Sequence, residues 1–305
     1  MVEVFSGSDR RLSKFIGLPS SDLDPDSKRP IQTDRIMTNI RGINLRPPRE
    51  FRNDNKLAAF GGFAERELSR SPGPFIVEVE NAWKVYQTGS VKVEALRGIS
   101  MGVKKGEMVA VMGPSGCGKT TLLNCISGLD DLSKGKVTIE GVDLAKMSDD
   151  QKSEFRAKRM GFIFQAYNLL PVLTAQENIE LPLLLGGVSE NEAHSSAIDT
   201  LGMVGLAEWR SHKPMELSGG QQQRVTIARA LVNKPAIVWA DEPTGNLDSE
   251  NSQEIIKLLR SLNQQYALTV VLVSHDSSIA QQTDRIIHMQ NGLIESEVRP
   301  TVVAN

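Results

Sequence analysis

Positions 113 to 120 read GPSGCGKT, three glycines, a lysine and a threonine at the spacing a phosphate cradle requires. Gly113, Gly118, Lys119 and Thr120 occupy the fixed positions of the pattern G-x-x-x-x-G-K-[ST]. Glycine lets a backbone wrap the β-phosphate without Cβ clashes. Lys119 would neutralise β- and γ-phosphate oxygens, and Thr120 would offer its hydroxyl to a Mg²⁺ ion. A second stretch, IVWADE at 237 to 242, is an apolar run ending in two carboxylates. Asp241 is expected at the C-terminal edge of a sheet beside the phosphate loop, where it can hold the Mg²⁺ shell. Glu242 is then expected to face the γ-phosphate as general base or water-positioning group. The two stretches together point to nucleoside triphosphate hydrolysis.

A third stretch raises a question that the first two do not answer. LSGGQQQR at 217 to 224 is another glycine-rich turn feeding a helix, and such a turn also presents backbone N–H groups to an anion. One chain thus carries two cradles.

These motifs need elements to hold them. EMVAVMG before the first cradle reads as a short buried strand, and KTTLLNCISGL after it reads as a helix. Further strands are expected at FIVEVENAWKVY, GFIFQ, AIVWAD, LTVVLVSH and DRIIHM, and QNGLIESE carries an Asn-Gly hairpin signal at Asn291 and Gly292. Capping boxes are expected at Ser148 with Gln151 and at Ser189 with Glu192. The stretch from about 167 to 217 has helical signals and no strand, so it reads as a helical insertion. The expected class is α/β with a largely parallel sheet.

Composition narrows the setting. The chain has 305 residues and a net charge of −2, which gives no global basic field of the kind that drives nucleic-acid binding. Its apolar stretches, such as LTVVLV at 268 to 273, fall short of the roughly 20 residues needed to cross a bilayer. The two cysteines, Cys117 and Cys125, are too few for a disulfide scaffold and read as reduced small packers. Residues 1–74 are polar and without apolar periodicity, and read as a poorly ordered extension. Within it, RGINLRPPREFR at 41 to 52 is a possible docking segment.

LSGGQQQR beside a phosphate loop resembles the signature motif of ATP-binding cassette (ABC) ATPases, and the resemblance covers about residues 76 to 297. It implies a P-loop NTPase core of the RecA-like kind, an antiparallel β part and an inserted helical subdomain at about 167–225, within a domain spanning 75–297 and followed by a tail at 298–305. It also answers the question of two cradles. In that family two cassettes pair head to tail, and each signature loop closes on the γ-phosphate held by the other. Ser218, Gly219 and Gly220 would therefore complete a partner's site.

The remaining assignments follow from the same resemblance. Nucleotide contacts are implied for Tyr86, which would stack on adenine, and for Gly113, Ser115, Gly116, Cys117, Gly118, Lys119, Thr120 and Thr121. Gln165 would sense the γ-phosphate and join Thr120 and Asp241 at Mg²⁺, Asp248 would contact the opposite subunit, and His275 would touch the γ-phosphate beside Glu242. ATP and Mg²⁺ are implied, with a second ATPase subunit and an integral membrane permease as partners and the cytoplasmic face of a membrane as the place of work. The stretches FQAYNLLPVLTAQENIELPL and ADEPTGNLDS look most like ATPases of lipoprotein release and macrolide export. A cell-division or envelope-regulating ATPase that signals through a membrane partner without transport is the alternative.

Overall fold

The computed structural model describes residues 75–300; the extension, its arginine-rich segment and the last five residues lie outside the described residues. The element order begins with β1 (Val77–Thr88), β2 (Val91–Val103), β3 (Met108–Met112) and α1 (Lys119–Ile126). There follow β4 (Lys134–Ile139), β5 (Val142–Asp143), α2 (Asp149–Arg159) and β6 (Met160–Phe164). Three helices come next, α3 (Ala175–Leu185), α4 (Glu190–Met203) and α5 (Gly219–Leu231). The chain closes through β7 (Ile237–Asp241), α6 (Ser249–Tyr266), β8 (Thr269–Ser274), α7 (Ser277–Ala280), β9 (Arg285–Gln290) and β10 (Leu293–Val298).

Two sheets organise these elements. One has the order β10-β9-β3-β8-β7-β6, parallel throughout except for the antiparallel edge strand β10; the other is the antiparallel β2-β1-β4-β5. Strands β3 and β8 are buried at every residue, because both faces of the large sheet are covered, and this is why β3 is apolar throughout and β8 between its terminal Thr269 and Ser274. Side-chain alternation splits the core in two. Met108, Ala110 and Met112 of β3, with Val238, Ala240, Val270 and Leu272, pack against α3 to α6. Val109 and Val111, with Trp239, Val271 and Val273, pack against α1 and the antiparallel sheet. The helical insertion and the antiparallel part thus lie on opposite faces of one sheet.

Two outcomes depart from the sequence reading. The resemblance implies an antiparallel part, but periodicity does not locate β2 and the pair β4-β5 that build it around β1, which pairs β2 from Val77 with Val103 to Thr88 with Val91, and β4 from Val77 with Ile139. Register shifts in the β1-β2 ladder between Val79 and Ala82 and between Lys84 and Val85 break the alternation by which β2 would be recognised. The Ser148–Gln151 capping box forms in both directions at the start of α2. At α4 only half forms: Ser189 accepts from the Glu192 N–H, without the return bond from the Ser189 N–H to the Glu192 carboxylate.

Candidate active site

The first cradle lies between the end of β3 and the start of α1, and its glycines are there for space. Gly118 is the N-cap of α1 with φ 105°, and a Cβ there would stand 2.5 Å from the Ala95 carbonyl oxygen of β2. Gly113 faces the hairpin in the same way, its Cβ position 2.2 Å from the Met289 carbonyl oxygen. Gly116, also at positive φ, opens on free space, the side on which an anion can approach. The back of the loop is tied down, since the Cys117 carbonyl accepts from Gly292 N–H at 3.0 Å across the β9-β10 turn. Cys117 and Cys125 are both buried and unbridged, as small packers would be. Lys119 folds over the loop and donates to the Gly113 and Pro114 carbonyls at 2.9 and 3.0 Å.

Strand order sets the two motifs one strand apart. Asp241 ends β7, and β7 is not the neighbour of β3, because β8 lies between them. The two motifs still meet: Thr120, in the first turn of α1, donates from Oγ1 to Asp241 Oδ1 at 3.1 Å, over the C-terminal end of β8. Burial pushes the Asp241 carboxyl above the ordinary carboxylate range, and the Glu242 charge adds to this against the Thr120 hydrogen bond and the Lys119 charge. A half-buried carboxylate in contact with a hydroxyl is a pair of hard oxygen donors. It suits a small divalent cation such as Mg²⁺, whose charge would offset the cost of burying the carboxylate.

Glu242 follows Asp241 in a left-handed conformation, φ 46°, that few residues other than glycine adopt. Two backbone bonds hold it there, from its N–H to the Val273 carbonyl at 3.1 Å and from Gly245 N–H to its own carbonyl at 3.0 Å. Its Oε1 lies 3.4 Å from Nδ1 of His275, which follows β8. Residues 120, 241, 242 and 275 thus converge from three elements at the C-terminal end of the sheet.

The other predicted residues sit elsewhere in the described fold. Gln165, just past β6, lies on the turn after Glu242: Gly245 leaves room for its amide, and Asn246 donates to the Gln165 carbonyl at 2.8 Å. Ser218 caps α5 in a full capping box with Gln221. Gly219 is packed under Tyr167 and Leu247, and Gly220 against Asn251 of α6. Asp248 caps α6, accepting from Asn251 N–H at 2.8 Å, so the 217–220 turn and the 246–248 turn adjoin. Tyr86, 40% exposed near the end of β1, donates its phenol to Asp130 Oδ2 at 2.8 Å. Burial, then that hydrogen bond, pushes the phenol up to about 12, with Thr121 acting in the opposite direction.

Residues that sequence reasoning missed hold these groups in place. Arg229 of α5 donates to the Tyr167 and Asn168 carbonyls at 2.9 and 2.6 Å, fastening two residues in the left-handed region to the helix that Ser218 caps. Burial lowers its pKa to about 10, and it stays charged at neutral pH. Asn246 and Asp130 act on residues 81 and 44 positions away. Arg229 lies five residues beyond the end of LSGGQQQR, and nothing in its spacing signals a role.

Comparison with known proteins agrees with this architecture. Residues 96–245 match the family described as ABC transporter. The chain is 43% identical over 222 residues to the lipoprotein-releasing system ATP-binding protein LolD of Bacteroides thetaiotaomicron, covering 73% of this chain and 100% of that protein. It is 44% identical over 224 residues to the macrolide export ATP-binding/permease protein MacB of Syntrophobacter fumaroxidans, covering 73% of this chain and 31% of that longer protein. Among solved structures it resembles the dimeric post-hydrolysis state of the ATP-binding cassette MJ0796 of Methanocaldococcus jannaschii, bound to ADP and Pi. That likeness has a TM-score of 0.69 at 43% identity and covers 74% of this chain and 99% of the other. A relative 43% identical along its whole length, together with the cassette bound to ADP and Pi, shows the family: the chain belongs to the ATP-binding proteins of the ABC transporter family, as an ATPase.

Proposed function

We propose that this ATPase powers a membrane complex of the lipoprotein-release and macrolide-export type, working as a head-to-tail pair. The observation that carries the pairing is the placement of the second cradle: Ser218 to Gly220 adjoin Asn251 and Leu247, while the first cradle is braced by Ala95, Met289 and Gly292. Two phosphate-type turns on separate supports are accounted for when one serves the partner's nucleotide. LolD and MacB are named for lipoprotein release and macrolide export, and similarity to both supports the subfamily.

In this reading ATP is the substrate. Lys119 leaves its loop carbonyls for the β- and γ-phosphate oxygens, and the loop N–H groups take the β-phosphate. Thr120, Asp241 and Gln165 would hold Mg²⁺, which when bound neutralises charge on the phosphates. Glu242 orients the attacking water and accepts its proton, while His275, 3.4 Å from the Glu242 carboxylate, touches the γ-phosphate. Tyr86 stacks on adenine. Closure of the pair caps each γ-phosphate with the partner's Ser218 turn, and loss of that phosphate reopens it. The Asn246–Gln165 contact carries the change towards α3 to α5, which would push on a permease subunit. Among the described residues no helix is long and apolar enough to cross a membrane, so we assign attachment to that partner, on the cytoplasmic face.

Gentle solubilisation of membranes, capture of the tagged chain and assay of ATPase activity in the recovered material test this reading. A co-purifying multi-span protein with a large external domain that stimulates hydrolysis is the expected result. Recovery with division proteins and no such stimulation would overturn transport in favour of signalling.

A further inference from the structure

The side chains around Tyr86 form a cluster that adjoins the phosphate loop through Thr121. Asp130, in the turn after α1, uses both carboxylate oxygens: Oδ2 accepts from the Tyr86 phenol at 2.8 Å and Oδ1 from the Lys84 ammonium at 2.6 Å. Lys84 also donates to the Asp131 carbonyl at 2.6 Å, and its Nζ lies over the Tyr86 ring, 4.9 Å from the centroid. Lys84 is only 9% exposed, so its charge is held by these contacts rather than by water. Tyr86 therefore has its hydroxyl tied and one ring face covered by a cation, yet the residue remains 40% exposed.

We propose that Asp130 and Lys84 are positioning residues that hold Tyr86 with a single open ring face for the adenine of ATP. The inference rests on reading Tyr86 as the base platform. A free tyrosine near a hairpin tip would have to be ordered when the base arrives, and that ordering cost subtracts from affinity. Here it is met beforehand. The cluster is also electrostatically stable at neutral pH. Burial pushes the Asp130 carboxyl up, but its hydrogen bonds from Lys84 and Tyr86 bring it below the ordinary range, so it stays an acceptor. Burial, then the Asp130 charge, pushes the neighbouring Cys125 thiol up to about 12, so it stays neutral.

The test is calorimetric titration of the full chain with Mg-ATP and, separately, with Mg-tripolyphosphate, which has no base. Tyr86→Ala is expected to weaken ATP roughly fivefold or more, the range of base–aromatic stacking, and to leave tripolyphosphate unchanged. Asp130→Ala is expected to weaken ATP about threefold with tripolyphosphate unchanged, and to add nothing in the Tyr86→Ala background, as coupled neighbours do. Ultraviolet titration of Asp130→Ala, with Tyr86→Phe as the blank, should show the Tyr86 ionisation lower than in the parent yet still above 10, because burial remains when the Asp130 hydrogen bond is lost; a fall to 10 itself would mean an exposed tyrosine, a loosened fold rather than lost positioning, and would count against the proposal. Equal losses for both ligands, or full additivity with Tyr86→Ala, would overturn the proposal. If Asp130→Ala does not fold, Asp130→Asn and Lys84→Met are judged by the same two titrations. No effect of Tyr86→Ala on ATP would sink the base-platform reading itself, whereas an effect there with none in the Asp130 and Lys84 variants sinks only the positioning role.

Discussion

At the scale of single residues the site depends on one strained position and its neighbour. Glu242 is held at φ 46° by the Val273 and Gly245 backbone bonds, which aim its carboxylate at His275. Replacing Glu242 by Gln keeps shape and backbone but removes the base. Phosphate release should fall at least about 100-fold, and ATP should remain bound in closed pairs visible by size-exclusion chromatography. Rapid turnover by that variant would refute the assignment. Gly118→Ala is expected to abolish nucleotide binding in an equilibrium assay, because the new methyl meets the Ala95 carbonyl and φ 105° is closed to alanine. These residues were legible in the sequence because short motifs impose them through local chemistry. Asp130, Lys84 and Asn246 were not, since each acts on a group brought near only by folding.

At the scale of elements, the lock between α6, β3 and the start of β9 makes a prediction about pH. Asp284 accepts from Arg260 of α6 at 2.7 Å and from Met108 N–H of β3 at 2.8 Å. Burial pushes its carboxyl up, but these hydrogen bonds reverse the shift and leave it below the ordinary range. A carboxylate depressed in the folded state contributes stability that is complete above its unfolded pKa, about 3.9, and is lost as pH falls through the lower folded value. Asp284→Asn should therefore lower stability by about 1–2 kcal/mol at neutral pH in urea unfolding, with a smaller difference from the parent below pH 3. An unchanged difference across that range would show that the ion pair carries no linkage. The helices of the insertion and the buried strands were legible from periodicity and caps. Strand β2 was not, because its ladder with β1 is interrupted by bulges and its side-chain alternation is broken.

At the scale of the whole molecule, two cradles on separate supports predict complementation. Lys119→Ala should remove the first cradle and Ser218→Arg the second, and each homogeneous pair should be inactive. Mixed one to one, half the pairs join one chain of each kind, and each of these has one intact site of two. About a quarter of the sites are then restored if the cradles act across a two-fold interface. Hydrolysis that stays at the level of the separate variants would place both cradles in service of one chain. The order of the motifs, the α/β class and the ATPase chemistry followed from the sequence by itself, because glycine loops, apolar strand runs and terminal carboxylates act through spacing a few residues long. Tertiary structure alone decided that β8 lies between the strands of the phosphate loop and the acid pair, that Thr120 bridges that gap, and that Tyr86 is held by Asp130 and Lys84. Strand order and cross-strand contacts are set by how the two faces of a sheet are buried, and burial is a property of the assembled chain rather than of any short stretch in it.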